Sequence, residues 1–352
     1  NPMCTHELVS QFQEAIHNAR LEKSRLQIVG GDTKAFLKAN VSAPLTRLEI
    51  GGYQGIVDYQ PSELVLTARA GTSLKVINET LAEQRQMLAF EPPTFGRSAT
   101  LGGIVASGLS GPRRPFTGAV RDFVLGCKII NGQGEVLTFG GQVMKNVAGY
   151  DVSRLMAGSE GTLGVILEVS LKVLPVPKKE LTLNIAMPIE SALVQMVALR
   201  RHYLSISAVA YEKGCLRVRY SGSKTGILSV LDTSVITDVH VEPSQNFWHA
   251  LKEQHVDFFH TKDDLWRISV PPATPVLSVP GHWFYDWAGG LRWLKTTAPA
   301  AVVFGAAAAC GGTARLFRSR QLAPWPRQEV ALPLAQLNKR VKAAFDPSEL
   351  FV

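Results

Sequence analysis

The chain carries glycine pairs and small polar residues at spacings that suit the binding of a phosphate-bearing cofactor. A short apolar stretch, Leu26 to Val29, leads into Gly30-Gly31-Asp32-Thr33-Lys34, and a short helix is predicted directly after it. A strand, a tight turn and a helix in this order leave backbone N–H groups and a helix N-terminus available to a pyrophosphate. A tight turn without a ligand is the alternative for this motif taken alone.

Two further glycine-rich segments follow. Thr100-Leu101-Gly102-Gly103 leads into Ile104–Gly108, where small residues would let a flavin ring or a phosphate approach the backbone, unless they form a closely packed core helix. Gly161-Thr162-Leu163-Gly164 enters a long apolar strand, and its glycines permit a close approach by the adenine or ribose half of a dinucleotide. Neither a P-loop pattern nor a GxGxxG turn after the first strand occurs, which argues against P-loop and Rossmann nucleotide sites.

The elements that must position these motifs are predicted from hydrophobic periodicity. Residues 5–23 have helical spacing, Ser73 is a good N-cap for a helix through Glu83, and Val165–Leu174 alternates as a strand. Pro175, Pro177 and the two lysines after them mark a domain boundary. Beyond it the pattern predicts an α+β unit, with strands near 181–186, 206–211, 216–220 and 265–270 and helices near 191–200, 247–254 and 334–344.

Composition and charge argue against a nucleic-acid-binding protein and a membrane-spanning protein. Of the 352 residues 46% are hydrophobic and 19% charged, and the formal net charge is +8. Because no basic stripe or nucleic-acid module is visible, we expect no nucleic-acid partner. No run of 18 apolar residues occurs, so no transmembrane segment is expected. The four cysteines, Cys4, Cys127, Cys215 and Cys310, are widely spaced without a metal-ligand pattern. This spacing does not support an iron–sulfur or structural zinc site in this chain, and it fits a reducing cytoplasm.

Together the three segments resemble the PCMH-type FAD-binding domain of the vanillyl-alcohol oxidase superfamily. The resemblance covers about residues 24–175 and is carried in order by Gly30-Gly31, Ala99–Gly103, Arg121–Gly126 and Gly158–Ile166. It implies an α+β fold in which residues 1–176 form an FAD-binding domain of two α+β subdomains. A smaller α+β cap domain would follow over 177–300, and 301–352 would return to the FAD domain with a truncated tail.

The resemblance also implies which residues bind FAD. They lie in or next to the three glycine-rich segments, apart from one proline upstream of the second. The set is Val29, Gly30, Gly31, Asp32, Thr33, Lys34, Pro93, Thr100, Leu101, Gly102, Gly103, Ser107, Gly108, Gly161, Gly164 and Ile166.

Over nearly its whole length the chain resembles a family of FAD-binding subunits from bacterial glycolate oxidases. The similarity is carried by Gly111–Pro115, Met144–Asp151, Leu265–Ile268 and Gly290–Lys295. In that family a second flavin subunit and an iron–sulfur subunit join the FAD-binding chain, glycolate is oxidised to glyoxylate, and electrons pass to the respiratory chain. The resemblance implies an FAD-dependent oxidoreductase acting on CH–OH groups, placed in the cytoplasm with peripheral inner-membrane association through the complex.

Two departures from related flavoproteins bear on the chemistry. Asp32 stands where flavin-linked relatives carry a histidine, so we expect non-covalent FAD. The surroundings of His249 and His255 do not match the metal-binding histidine pair of catalytic 2-hydroxy-acid members, so no metal is expected. Two alternatives therefore stay open: a non-catalytic structural or electron-relay subunit, and a different enzyme on this fold, such as a sugar or aldonolactone oxidase.

A 2-hydroxy acid needs an arginine for its carboxylate and a base for its hydroxyl proton. Arg267 and Arg292, which lie among tryptophans, are candidates for the arginine. Tyr150 is the candidate for the base, with His282 and His260 as alternatives. For each of them a surface salt bridge or a satisfied core polar group is the alternative reading, and Arg113 and Arg114 would instead neutralise phosphate or face a partner.

Overall fold

In the computed structural model the chain forms two compact units, and the predicted α+β class is confirmed. Unit 1 comprises Asn1–Ser110, Gly118–Pro175 and Val330–Val352, and unit 2 comprises Gly111–Thr117 and Val176–Glu329. The structure describes residues 5–38, 45–141, 151–202, 205–223, 239–242, 245–321 and 324–352.

The two units divide the chain differently from the sequence-based boundaries at two places. Gly111–Thr117 belong to unit 2, although the sequence placed them in the FAD-binding domain. Residues 301–329 belong to unit 2, whereas the sequence assigned them to a segment returning to the FAD domain. The reason is strand pairing, because Thr313–Arg318 pairs antiparallel with a strand of the unit 2 sheet. The segment that returns to unit 1 begins at Val330.

Unit 1 is built around a five-stranded antiparallel sheet. The strands of the unit are β1 (Leu26–Val29), β2 (Thr46–Glu49), β3 (Ile56–Gln60), β4 (Val65–Arg69), β5 (Gln86–Met87), β6 (Val124–Ile130), β7 (Val136–Gly140), β8 (Val165–Lys172) and β9 (Leu174–Pro175). The main sheet has the order β3-β4-β8-β6-β7, and two smaller sheets accompany it, parallel β1–β2 and antiparallel β5–β9. The helices of the unit are α1 (Thr5–Glu22), α2 (Leu74–Glu83), α3 (Leu101–Ser107), α5 (Val120–Phe123), α6 (Val152–Met156) and α10 (Leu332–Phe345), numbered in chain order.

Local sequence explains several of these elements. The apolar stripe of α1 buries Phe12 and Ile16, and Ser73 Oγ accepts a hydrogen bond from Val76 N at the start of α2, as an N-cap does. Strand β8 is buried along most of its length because it has a strand on each side and α3 packs against it. Cys127 in β6 is buried, and burial raises the pKa of its thiol to about 11.

Unit 2 contains an eight-stranded antiparallel sheet. Its strands are β10 (Lys179–Ala186), β11 (Ile206–Glu212), β12 (Cys215–Gly222), β13 (Val239–Glu242), β14 (Asp264–Ser269), β15 (His282–Asp286), β16 (Leu291–Thr296) and β17 (Thr313–Arg318). Their order is β13-β10-β12-β11-β15-β16-β14-β17. The helices are α4 (Arg114–Thr117), α7 (Ile189–His202), α8 (Gln245–Lys252) and α9 (Ala300–Ala309). Sequence reasoning did not predict β15 and β16. Strand β16 shows no alternation because nearly all of its residues are buried.

Candidate functional site

A cleft in unit 1 brings the three glycine-rich segments together. The space within it, including solvent at its open side, is about 770 Å³. The lining combines glycines, aliphatic side chains and a few charged groups. The lining residues are Ile28, Gly30, Gly31, Asp32, Thr33, Lys34, Ala35, Leu37, Lys38, Ile50, Thr100, Gly102, Gly103, Ala106, Ser107, Glu160, Gly161, Gly164 and Ile166.

The Gly30-Gly31 turn packs against the segment before α3 with no space for side chains. A Cβ on Gly30 would collide with the side chain of Thr100, and one on Gly31 would collide with the Ser98 carbonyl. The next residue, Asp32, has φ 57°, a left-handed conformation that aspartate tolerates better than most residues. Its carboxylate accepts a hydrogen bond from Arg47 Nη2 at 3.0 Å, on the exposed side of the loop.

Backbone donors at this turn are available to a ligand. Within the described residues, the N–H groups of Gly31, Asp32 and Thr33 have no hydrogen-bond acceptor. Successive unpaired N–H groups beside a concave surface are what a phosphate group requires. The turn therefore fits the pyrophosphate of a dinucleotide cofactor. The helix that follows is a short 3₁₀ helix, Ala35–Lys38.

The second glycine pair, Gly102-Gly103, lies in the first turn of α3, and its two residues have different roles. Thr100 is the N-cap, and its Oγ1 accepts a hydrogen bond from Gly103 N at 3.4 Å. A Cβ on Gly102 would lie 2.8 Å from the Ala70 side chain, so Gly102 faces the core. A Cβ on Gly103 would meet Thr100 Oγ1 at 3.4 Å and nothing else within 4 Å. Gly103 therefore keeps the cleft open.

The third segment is a turn that tertiary contacts hold in place. Gly161 has φ 75° and Gly164 has φ 156°, both in regions that favour glycine. Lys342 Nζ donates to the Thr162 carbonyl at 2.6 Å, and Glu160 N donates to the Ala106 carbonyl at 2.8 Å. These bonds fix the turn against α3 and the C-terminal helix.

Charged side chains of both signs line the cleft. Lys34 Nζ donates to the Thr94 carbonyl at 3.2 Å, and Lys38 Nζ donates to the Val352 carbonyl at 3.0 Å. Burial lowers the pKa of Lys38, and the carboxylates of Glu160 and Asp32 oppose that effect. A partly desolvated ammonium beside unpaired N–H groups provides a second recognition element for an anionic phosphate.

The structure places most of the predicted cofactor residues on this cleft. The exceptions are Val29 and Leu101, whose side chains are in the core; Gly108, which ends α3 with φ 65°; and Pro93, which is buried elsewhere in unit 1. Sequence reasoning missed other lining residues, although most of them flank a glycine motif: Ile28, Ala35, Leu37, Lys38, Ile50, Ala106 and Glu160.

The predicted catalytic residues have different outcomes. Arg292 is fully buried, and its guanidinium donates to the carbonyls of Gly289, Pro275 and Thr274, so it holds a loop of unit 2 together. We therefore do not assign it to a substrate carboxylate. Tyr150 lies outside the described residues.

Arg267 remains a candidate for binding the carboxylate of a 2-hydroxy acid. It is partly buried in β14, and its guanidinium carbon lies 5.2 Å from the centre of the Trp287 ring. The alternative bases His260 and His282 are both exposed. His260 Nδ1 lies 3.9 Å from a carboxylate oxygen of Asp257, also on the surface.

In the part of the chain that the structure describes, no group of three or more His, Cys, Asp or Glu side chains is placed to hold a metal ion. Among the same residues no helix is both long and apolar enough to cross a bilayer.

Comparison with known proteins agrees with the geometry of the cleft. Residues 5–140 match the family described as FAD binding domain, so this part of the chain is an FAD-binding domain. Glycolate oxidase subunit GlcE of Escherichia coli (strain K12) is 41% identical over 338 residues, which cover 96% of this chain and 94% of that protein. Glycolate oxidase subunit GlcD of Bacillus subtilis (strain 168) is 34% identical over 119 residues, 34% of this chain and 25% of its own length.

The fold itself is shared with more distant proteins. A solved structure of alkyldihydroxyacetonephosphate synthase superposes with a TM-score of 0.67 at 15% sequence identity. The superposition covers 97% of this chain and 74% of the synthase. At this level of identity the likeness concerns the fold alone.

Proposed function

Because the chain belongs to the family of glycolate oxidase subunit GlcE, we propose that it is the FAD-binding subunit of a complex that oxidises glycolate to glyoxylate. The resemblance found in the sequence is thereby confirmed at the level of the family. The observation that carries the proposal is the cleft of unit 1, where unpaired N–H groups, glycines and a lysine converge inside a matched FAD-binding domain.

We assign the groups of the cleft to parts of FAD by their chemistry. The N–H groups of Gly31, Asp32 and Thr33, together with Lys38, would hold the pyrophosphate. Gly103 and Gly161 would let the rest of the cofactor approach the backbone. When bound, FAD supplies the acceptor for the two electrons that leave glycolate.

We further propose that the cofactor is held without a covalent bond. Asp32, which stands where linked relatives carry histidine, is paired with Arg47. The lining of the cleft contains neither histidine nor cysteine among the described residues. Denaturation with acid should therefore leave all of the FAD in the supernatant.

The partners and the location belong to the same proposal. A second flavin subunit and an iron–sulfur subunit would complete the complex, which would place the chain at the cytoplasmic side of the inner membrane as a peripheral component. Arg267 would hold the carboxylate of the 2-hydroxy acid, and Tyr150 is retained as the candidate base.

The absorption spectrum of the purified chain tests the function directly. We expect flavin bands near roughly 450 nm, and their bleaching when glycolate is added under anaerobic conditions together with partner subunits. Glyoxylate should form in proportion to the bleaching. A colourless chain that cannot be reconstituted with FAD would refute the proposal. Bleaching by a sugar but not by glycolate would favour another oxidase, and FAD without bleaching by any substrate would favour an electron-relay role.

Lys38→Gln is expected to weaken FAD binding by about tenfold, because it removes a charge-assisted hydrogen bond to phosphate. Fluorescence titration of the apoprotein with FAD measures the loss. The affinity of the variant should also depend less on salt than that of the wild type. The control is Lys75→Gln, since Lys75 is an exposed lysine on α2 of the same unit. Equal losses in both variants would show that Lys38 has no specific role.

A further inference from the structure

Residues 346–352, which we call the C-terminal arm, lie beside the strand that leads into the Gly30-Gly31 turn. Leu26 N in β1 donates to the Leu350 carbonyl at 2.8 Å, and Val352 N donates to the Leu26 carbonyl at 3.0 Å. The pairing is parallel, and β1 pairs with β2 along its other edge. The arm is therefore a neighbour of the strand that carries the proposed pyrophosphate turn.

The arm also holds a charged group of the cleft. Lys38 lines the cleft, and its Nζ donates to the Val352 carbonyl at 3.0 Å. An ammonium group has three protons, so this bond leaves donors for a phosphate group. The Val352 carbonyl thus fixes the position of the cation that we assign to the pyrophosphate of FAD.

A lysine of α10 connects the arm to the third glycine turn. Lys342 Nζ donates to the Phe351 carbonyl at 2.8 Å and to the Thr162 carbonyl of that turn at 2.6 Å. Its third acceptor is Asp346 Oδ2 at 2.6 Å. The buried Asp346 carboxylate also accepts from the backbone N–H groups of Leu350 and Phe351. One arm is therefore bonded to two of the glycine turns around the cleft.

The arm has no place in the lining of the cleft itself. Leu350 and Phe351 are each 2% exposed and belong to the core of unit 1. No residue of 346–352 is among those that line the cleft. Any effect of the arm on a bound cofactor must therefore pass through Lys38, β1 and the third glycine turn.

We propose that the C-terminal arm is a positioning element of the FAD site, and that its docking and the binding of FAD are thermodynamically coupled. The inference rests on the proposed placing of FAD in this cleft. Undocking would remove one neighbour of β1 and the acceptor that holds Lys38. FAD should therefore bind more tightly when the arm is docked. By linkage, bound FAD must favour the docked arm by the same factor.

Hydrogen exchange of the whole chain, without FAD and saturated with FAD, tests the coupling. The amides of Phe351 and Val352 donate to Asp346 and Leu26, so they exchange slowly only while the arm is docked. We expect FAD to slow their exchange by at least about tenfold more than that of the β3 amides. Equal slowing in both places would mean that FAD only stabilises the unit as a whole, and it would overturn the proposal.

Phe351→Ala weakens docking without altering the lining of the cleft. Because part of the chain would then be undocked, we expect its affinity for FAD to fall by at least about tenfold in fluorescence titration of the apoprotein. Phe123→Ala is the matched control. Phe123 is also 2% exposed in the core of unit 1, and it does not line the cleft. This control should lose stability and keep its affinity for FAD.

The outcomes separate the coupling from general instability and from the proposed function. Equal losses of affinity in Phe351→Ala and Phe123→Ala would overturn the coupling. If Phe351→Ala does not fold, Phe351→Leu replaces it and should show a smaller loss of the same kind. Unchanged affinity together with bleaching by glycolate would overturn the coupling alone. A loss confined to the Phe351 variants, in a chain whose flavin glycolate never bleaches, would support the coupling and refute the proposed function. A wild-type chain that binds no FAD would overturn both.

Discussion

Gly103→Leu is expected to weaken FAD binding severely while the protein remains folded. A Cβ at this position would meet little besides Thr100 Oγ1, so the rest of a leucine would extend into the cleft. Filling that space should weaken FAD binding by at least about a hundredfold, or about 2.7 kcal/mol. Leucine has a higher helix propensity than glycine, so the same change in the first turn of α3 should favour this helix by up to roughly 0.8 kcal/mol. Titration of the apoprotein with FAD and thermal unfolding measure the two effects, and we expect them to have opposite signs.

Gly305→Leu is the matched control for that experiment. Gly305 also lies inside a helix, α9, and a Cβ there would have nothing within 4 Å. This variant should bind FAD as the wild type does. Normal FAD affinity in Gly103→Leu would mean that FAD does not occupy the cleft as we assign it. Gly102→Leu gives a third comparison, because it faces Ala70 and should destabilise the fold itself.

The sequence predicted best those features that depend on neighbours along the chain. The Gly30-Gly31 turn, the N-cap at Ser73 and the strand after Gly164 are each determined within a few residues, and the structure contains all three. The grouping of the glycine motifs around one cleft was inferred from a family resemblance. Periodicity alone contains no information about which loops meet.

Features that depend on contacts between segments far apart in the sequence were not predictable. Lys38 and Glu160 line the cleft because the first and third glycine turns lie on the same cleft in the fold. Arg267 and Arg292 look equivalent in sequence, since both lie beside tryptophans. The structure separates them because Arg292 is buried among carbonyl groups, whereas the register of β14 and β17 places Arg315 opposite Arg267.

Asp346→Ala is expected to lower the free energy of unfolding by about 3–5 kcal/mol, because it leaves a buried ionic network without its anion. Asp346 is fully buried and accepts hydrogen bonds from Lys342 Nζ at 2.6 Å, Leu350 N at 3.0 Å and Phe351 N at 2.8 Å. Urea denaturation measures the loss. FAD binding should weaken as well, because Lys342 also holds the Thr162 carbonyl of the third glycine turn.

An exposed ion pair with the same sequence spacing shows how much of the loss of stability depends on burial. Lys75 and Glu79 form an i,i+4 pair on α2 with both side chains largely exposed, as Lys342 and Asp346 form one inside the fold. Glu79→Ala should therefore change the stability by no more than about 0.5 kcal/mol. Combining Asp346→Ala with Lys342→Met should cost less than the sum of the single changes, since the second change removes the cation that the first left unpaired. Additive losses would show that the two side chains act independently and that no buried ionic network joins them.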